Sequence, residues 1–329
     1  MRHLATAGKR RAYSFIEHPR WASVDAGGKG ESRWLLHASM AVLVLFWGLA
    51  FVAIKAADEH MSWVTLTFLR FAFADILFVG YLVVRKSERV LPRRQDWLPL
   101  LGLGFLGFTG YHLFLNLGES NPEVTAGTAA LIIASDPAFI ALLAVPILRE
   151  KIHSLRAVGI ALAFVGLAVM ILFAAPSSQL RFSLSLGALE VVPSVIFTAI
   201  YLVLGRNYLA RYRPFVFVAY TILLGTLLTL PIVVAVWPTF VHDLVTLSWA
   251  GLLPVLFLSV CPTFIGYSLW FRAVERMPAA AAGAWLYVST LIAVVGGILL
   301  LGEPVTESMV LGGALVIGGV VVAQQLGKR

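Results

Sequence analysis

A single cysteine, Cys261, occurs in the whole chain, so no internal disulfide can form and no thiolate zinc cluster can be assembled. Charge is also scarce. Only 13% of the residues are Asp, Glu, Lys or Arg, against about 25% in ordinary soluble domains. There is no HExxH pair, no nucleophile elbow followed by triad partners, and no phosphate loop; these absences leave no catalytic set and nothing in the chain that could burn a nucleotide to drive pumping. Residues 1 to 33 lack the apolar core of about 7 to 15 residues that a secretory signal needs. We read 1–34 as a basic, disordered cytoplasmic tail, since Glu17, Asp25 and Glu31 make it too acidic for a mitochondrial-type presequence.

What fills the rest is hydrocarbon. The chain is 60% hydrophobic, with a mean hydropathy of +0.89, which places it in a bilayer. Windows of about 19 residues give ten spans: 35–57, 62–84, 97–118, 124–148, 155–175, 184–204, 214–236, 248–271, 279–301 and 307–326. Each is long enough for a hydrocarbon core of about 30 Å, and none alternates as an outer-membrane barrel strand does. The fold class is therefore an all-α integral membrane protein with ten transmembrane helices. All but three of the 25 Lys and Arg residues fall on one side if both termini are cytoplasmic. The exceptions are Arg181, in an external loop, and Lys55 and Arg70, inside spans; this segregation is the orientation signal of a membrane protein and offers no single basic patch to a nucleic acid.

The two halves resemble each other. "GYHLFLNLGESNPEVTAGTAAL" from Gly110 aligns with "GYSLWFRAVERMPAAAAGAWLY" from Gly266, pairing Tyr111 with Tyr267 and Pro122 with Pro278. Further along, Glu150 pairs with Glu303, Gly159 with Gly312 and Gly166 with Gly319. A repeat of five helices, an odd number, must be inserted upside down the second time, which is a common construction of secondary carriers. The expected domains are 35–175 and 184–326.

Trp47-Gly48, Arg70, "TAGTAALIIASDPAFIALLAVPILREK" from Thr125 and "AAGAWLYVSTLIAVVGGILLLGEPV" from Ala281 together resemble the EamA type of the drug/metabolite transporter superfamily. The resemblance implies ten helices in two halves around a shared central cavity, and export of amino acids or other small metabolites across a bacterial inner membrane. It also marks two departures. Thr290 stands where the second-half motif often has the proline matched by Pro137, so the halves should bend differently. Asp136 precedes Pro137 where many members carry Glu or an uncharged residue, which makes it a substrate-specific position.

Several residues stand out as site candidates. His112 and Asn116, four apart on one helix face beside Tyr111, read either as a polar strip toward a cavity or as interhelical hydrogen bonds. Trp47, Tyr201, Tyr267, Trp270 and Trp285 are rings that can belong to the membrane interface or, where deeper, line a cavity suited to an amphipathic solute. Glu150 and Glu303, followed by Ser154 and Thr306, read as turn and cap chemistry before the fifth and tenth spans. Glycines in "LGLGFLGFTG" and "LGGALVIGGVVV" read as close packing sites.

Arg70 and Asp75 lie in "LRFAFADILFVG", where a charge costs about 2.5 to 3.5 kcal/mol on insertion scales. Five helical residues turn a side chain through about 500°, leaving these two roughly 140° apart, so each must look to another helix. The expectation is that Arg70 is held by Asp136 or Asp75, that Lys55 reaches the interface by its stem, and that Asp75 is the leading candidate to carry a coupling proton. The partners expected are the lipid bilayer and a small-molecule solute, with a homodimer left open and no nucleic acid, cofactor or metal. The function expected is secondary transport of small organic, amino-acid-like solutes; an integral-membrane lipid-modifying enzyme is the alternative.

Overall fold

The computed structural model describes residues 33–85, 90–148, 154–173, 182–276 and 279–325. The basic tail, Glu150 and Arg181 lie outside the described residues. Among the described residues ten spans are present: α1 (Arg33–Asp58), α2 (Trp63–Val84), α3 (Trp97–Gly104, Phe105–Gly110 and Tyr111–Ser120 in sequence), α4 (Ala126–Ile133 and Asp136–Leu148), α5 (Ser154–Leu172), α6 (Leu186–Leu209), α7 (Pro214–Ala235), α8 (Trp249–Leu258, Ser259–Gly266 and Tyr267–Arg276), α9 (Ala279–Leu301) and α10 (Glu307–Gln325). Several start where the local chemistry says they should. Ser62, Thr125, Ser185 and Ser248 accept N–H bonds at the starts of α2, α4, α6 and α8, and Pro214 opens α7.

The turns after α1, α3, α7 and α9 gather on one face of the bundle, the odd-loop face, and those after α2 and α6 on the other, the even-loop face. On the odd-loop face a short amphipathic helix, Trp237–Thr246, is missing from the sequence reading. Its Asp243 accepts from the Ser62 N–H (2.9 Å) and the Thr65 hydroxyl (2.7 Å), pinning it to the start of α2. On the even-loop face the Tyr212 hydroxyl donates to Asp96 (2.6 Å) and accepts from the Arg93 N–H (3.0 Å). Burial and the Asp96 carboxylate push the Tyr212 phenol above its usual range.

The two halves are interlocked. The opening helix of each half packs on the third and fourth helices of the other: α1 on α8 and α9, α6 on α3 and α4. The equivalent helices α5 and α10 cross each other, as do α2 and α7. At the α5/α10 crossing, a Cβ on Gly159 would meet the Gly319 carbonyl oxygen at 2.5 Å, and one on Gly312 the Gly166 oxygen at 2.8 Å. Because Gly159 is the repeat partner of Gly312 and Gly166 of Gly319, the second contact is the image of the first under a pseudo-two-fold axis. The inverted repeat is thus written into the packing.

α3 and α8 share a second device. Each widens into π-helical turns, at Phe105–Gly110 and Ser259–Gly266, ending on the repeat-paired glycines. Such turns free backbone groups and recur at functional sites. Phe197 of α6 fills the notch at Gly110, and the Trp47 indole of α1 fills the one at Gly266 while donating to the Pro262 carbonyl (2.9 Å).

The halves do bend differently. α4 is interrupted at Ala134 and Ser135, immediately before Asp136 and Pro137, whereas α9 runs unbroken through Thr290. The ring of Pro137 cannot follow a helical residue comfortably, and Thr290 imposes no such break.

Candidate functional site

Arg70 enters the protein from α2 and is 4% exposed. Its Nε donates to the Thr263 hydroxyl (3.1 Å) in the π segment of α8, and one terminal nitrogen lies 3.3 Å from His112 Nδ1 on α3. The expected carboxylate clasp is not formed: neither Asp75 nor Asp136 comes within ion-pair distance. The reason is geometric, since Thr263 has its own proton committed to the Leu258 carbonyl (2.7 Å), leaving its oxygen free to receive the guanidinium. Phe71 adds a ring face at 5.4 Å from the guanidinium carbon.

Two donors follow from this arrangement. An arginine has five N–H groups, of which these contacts use two. Because arginine only donates, His112 Nδ1 must accept, so the proton of the neutral ring sits on Nε2, and Nε2 is buried without a partner. Acceptors lie nearby in the same unsatisfied condition. Asn116 donates to the Thr67 hydroxyl (2.8 Å), tying α3 to α2, but its Oδ1 is buried and unpartnered. Asp136 Oδ1, at the break in α4, is equally so. Tyr111 and Tyr267, the repeat-paired tyrosines, are within electrostatic range of both Arg70 and Asp136.

The remaining sequence candidates separate. Trp47 packs against Tyr267 (5.7 Å between ring centroids) and Trp270 (5.5 Å), and Phe108 touches Tyr267 on its other side (5.6 Å). Tyr201 stacks on Phe217 and lies over Gly107, a packing role in a cluster between α3, α6 and α7. Trp285 sits lower, against His37 and the cluster of Met40, Leu43 and Ala273. Asp75 points between α2 and α7, 8% exposed, with Oδ1 unpartnered and the Thr226 hydroxyl facing it. Lys55 does not reach outward: its Nζ donates to the carbonyl oxygens of Glu119 and of Asn121 (2.9 Å), satisfying the end of α3.

Glu303 is a further correction. Thr306 caps α10 as expected, accepting from the Met309 N–H (3.2 Å), but the Glu303 carboxylate instead crosses to α4 and accepts from the Ala126 N–H (2.8 and 3.1 Å). Gly302, at φ 68°, supplies the left-handed turn that sends it there. The feature that sequence reasoning missed outright is Glu119, just outside the span 97–118; it is fully buried at the end of α3, and both its oxygens lack partners.

A broken helix, two π-widened helices and a midplane arginine shared between inverted halves are the apparatus of a carrier. Residues 35–172 and 185–324 each match the EamA-like transporter family. The chain belongs to the EamA-like transporter family. Among relatives, an uncharacterised transporter of Archaeoglobus fulgidus is 31% identical over 291 residues, covering 88% of this chain and 98% of that protein. A protein of Streptantibioticus cattleyicolor described as a probable terminal-alkyne amino-acid exporter is 32% identical over 297 residues, with 88% and 94% covered. A probable amino-acid metabolite efflux pump of Escherichia coli K12 is 26% identical, covering 85% and 92%. A solved crystal structure at 20% identity and a TM-score of 0.59 spans 91% of this chain and 100% of its own, showing the same fold. This EamA-like protein is a multi-pass membrane transporter of small metabolites, and the lipid-modifying alternative is not favoured.

Proposed function

We propose that this EamA-like transporter exports amphipathic, amino-acid-like solutes by alternating access, taking the solute carboxylate on Arg70 and His112 and its ammonium on Asp136 and Asn116. The observation that carries the reading is the guanidinium of Arg70, buried with no carboxylate within ion-pair distance and with N–H groups to spare. An unpaired buried charge is costly and is retained where a ligand completes it. Trp47, Tyr111, Tyr267 and Trp270 supply ring faces for an apolar or aromatic side chain. The names of the relatives from S. cattleyicolor and E. coli support the same class.

The test is a thermal-stability panel on the purified protein. Large apolar and aromatic amino acids should stabilise it, by about 2.7 kcal/mol at a concentration of 100 times Kd, while their amides and their N-acetyl derivatives should each lose most of that effect. Stabilisation by the amides equal to that by the free acids would remove Arg70 as the carboxylate anchor. Sugars or nucleobases stabilising where no amino acid does would overturn the solute class.

Orientation belongs to the same proposal: the odd-loop face is external, in a bacterial inner membrane, and both termini are cytoplasmic. Val245 is 80% exposed on that face and Ser154 is exposed on the other. In a Cys261→Ser background, Val245→Cys should react with an impermeant maleimide on intact cells and Ser154→Cys should react only after permeabilisation. The reverse pattern would invert the assignment. Asp75 remains the mid-depth candidate for a coupling proton, supported by its burial and its unpartnered oxygen.

A further inference from the structure

At the odd-loop end of the bundle, four ionisable side chains from three separate stretches of the chain converge. Lys55 and Asp58 come from the last turn of α1, Glu119 from the last turn of α3, and Glu303 from the turn before α10; all of them are within electrostatic range of Glu119. Two of the four are already spent. Lys55 is bound to the carbonyls that end α3, and Glu303 to the N–H that begins α4. Glu119 is 0% exposed and neither of its oxygens has a hydrogen-bond partner; both oxygens of Asp58 are also buried without partners. The other groups facing Glu119 are Arg70 from α2 and Tyr111 on its own helix, while α6 presents Gly187 and Val191 to the adjacent Gly118. No group of three or more metal-ligating side chains forms among the described residues.

We infer that Glu119, with Asp58 within electrostatic range, is a proton-binding site that governs opening of the odd-loop end. Neither Glu119 nor Asp58 finds a donor in this closed arrangement, and the Lys55 ammonium is committed to backbone carbonyls, so a proton held on the carboxyl stands in for the missing partners. Loss of the proton to water leaves adjacent anions at the junction of α1, α3 and α4. Their repulsion works against the two contacts that hold this end shut: the Lys55 clamp between α1 and α3, and the Glu303 clasp, which joins the second half to the first. Opening admits water, water takes the proton, and reprotonation allows closure. Asp75 lies deeper, between α2 and α7, and takes no part in this step. The inference rests on the transporter reading, but its test needs no solute, so the two can fail separately.

Ala57, beside Asp58, is fully buried and becomes reactive as cysteine only when this end opens. In the Cys261→Ser background, reconstituted Ala57→Cys protein should be labelled by a maleimide at least about tenfold faster, relative to Val245→Cys at each pH, as pH rises from about 5 to about 9. Glu119→Gln should label slowly throughout, and Glu119→Asp should keep the response. Infrared difference spectra over the same pH step should show loss of a carboxylic acid C=O band that is absent in Glu119→Gln and retained in Asp75→Asn. A pH-independent labelling ratio, an unchanged response or band in Glu119→Gln, a band removed by Asp75→Asn instead, or a response reproduced by sodium at fixed pH would each overturn the inference.

Discussion

Gly166→Leu should leave no monodisperse protein after detergent extraction, whereas Gly318→Ala, seven residues before the end of the same packed pair, should be indistinguishable from the parent or slightly more stable. At Gly166 even a Cβ would stand 2.5 Å from the Gly312 carbonyl oxygen and 2.7 Å from the Val316 nitrogen, both backbone atoms of α10. Side-chain overpacking costs about 1 to 3 kcal/mol because neighbours can shift; a helix backbone cannot, so α5 and α10 must separate along the whole crossing. In a bilayer, close approach of small residues is itself the source of association, so separation forfeits it. At Gly318 a Cβ meets nothing within 4 Å, and alanine gains about 0.8 to 1 kcal/mol of helix propensity. Size-exclusion profiles and unfolding temperatures of the two variants decide the matter; a well-behaved Gly166→Leu protein would show that the crossing is not what joins the halves.

Arg70→Gln should weaken solute binding by about 30-fold or more, the loss of a buried charge-assisted pair being about 2 to 5 kcal/mol. The sign of its effect on stability is the sharper expectation. If Arg70 served only to cement helices, its removal would lower the unfolding temperature. As a buried cation without a carboxylate, its replacement by a neutral side chain that can still bond Thr263 should leave that temperature unchanged or raise it. Arg70→Lys should retain part of the binding, because a single ammonium cannot reproduce the two-pronged contact. Asp136→Asn should lose the preference for a free amino group while keeping recognition of the carboxylate. A fall in stability in Arg70→Gln with ligand response intact would return the residue to a structural role.

Much of the architecture was legible in the sequence because a bilayer leaves few alternatives. Ten apolar stretches can only be ten helices when no water is present to satisfy an open backbone. The glycines of "LGGALVIGGVVV" announced close packing, and the pairing of Gly110–Tyr111 with Gly266–Tyr267, of Gly159 with Gly312 and of Gly166 with Gly319 announced the repeat. Pro137 against Thr290 foretold that the two halves would bend differently. The site was legible only in outline. Arg70 was conspicuous as a charge at depth, but its partner was sought among formal charges, and a threonine from the other half, freed by a π turn, carries no such mark. Glu119 falls just beyond the span 97–118, because hydropathy windows average away the position of one side chain at a helix end.

The sequence by itself determined that the chain lies in the membrane, how many times it crosses, that its halves are inverted copies, and that it belongs among metabolite carriers. The first three follow from composition and period, which each segment carries alone; the last rests on the resemblance of its motifs to a family. Only the tertiary structure decided that Arg70 meets Thr263 and His112 and no carboxylate, that Lys55 turns inward to the end of α3, that Glu303 reaches α4, and that Glu119 is buried among other acids. Each of these is a contact between helices distant in sequence, set by how the two halves interlock, and no segment read singly contains it.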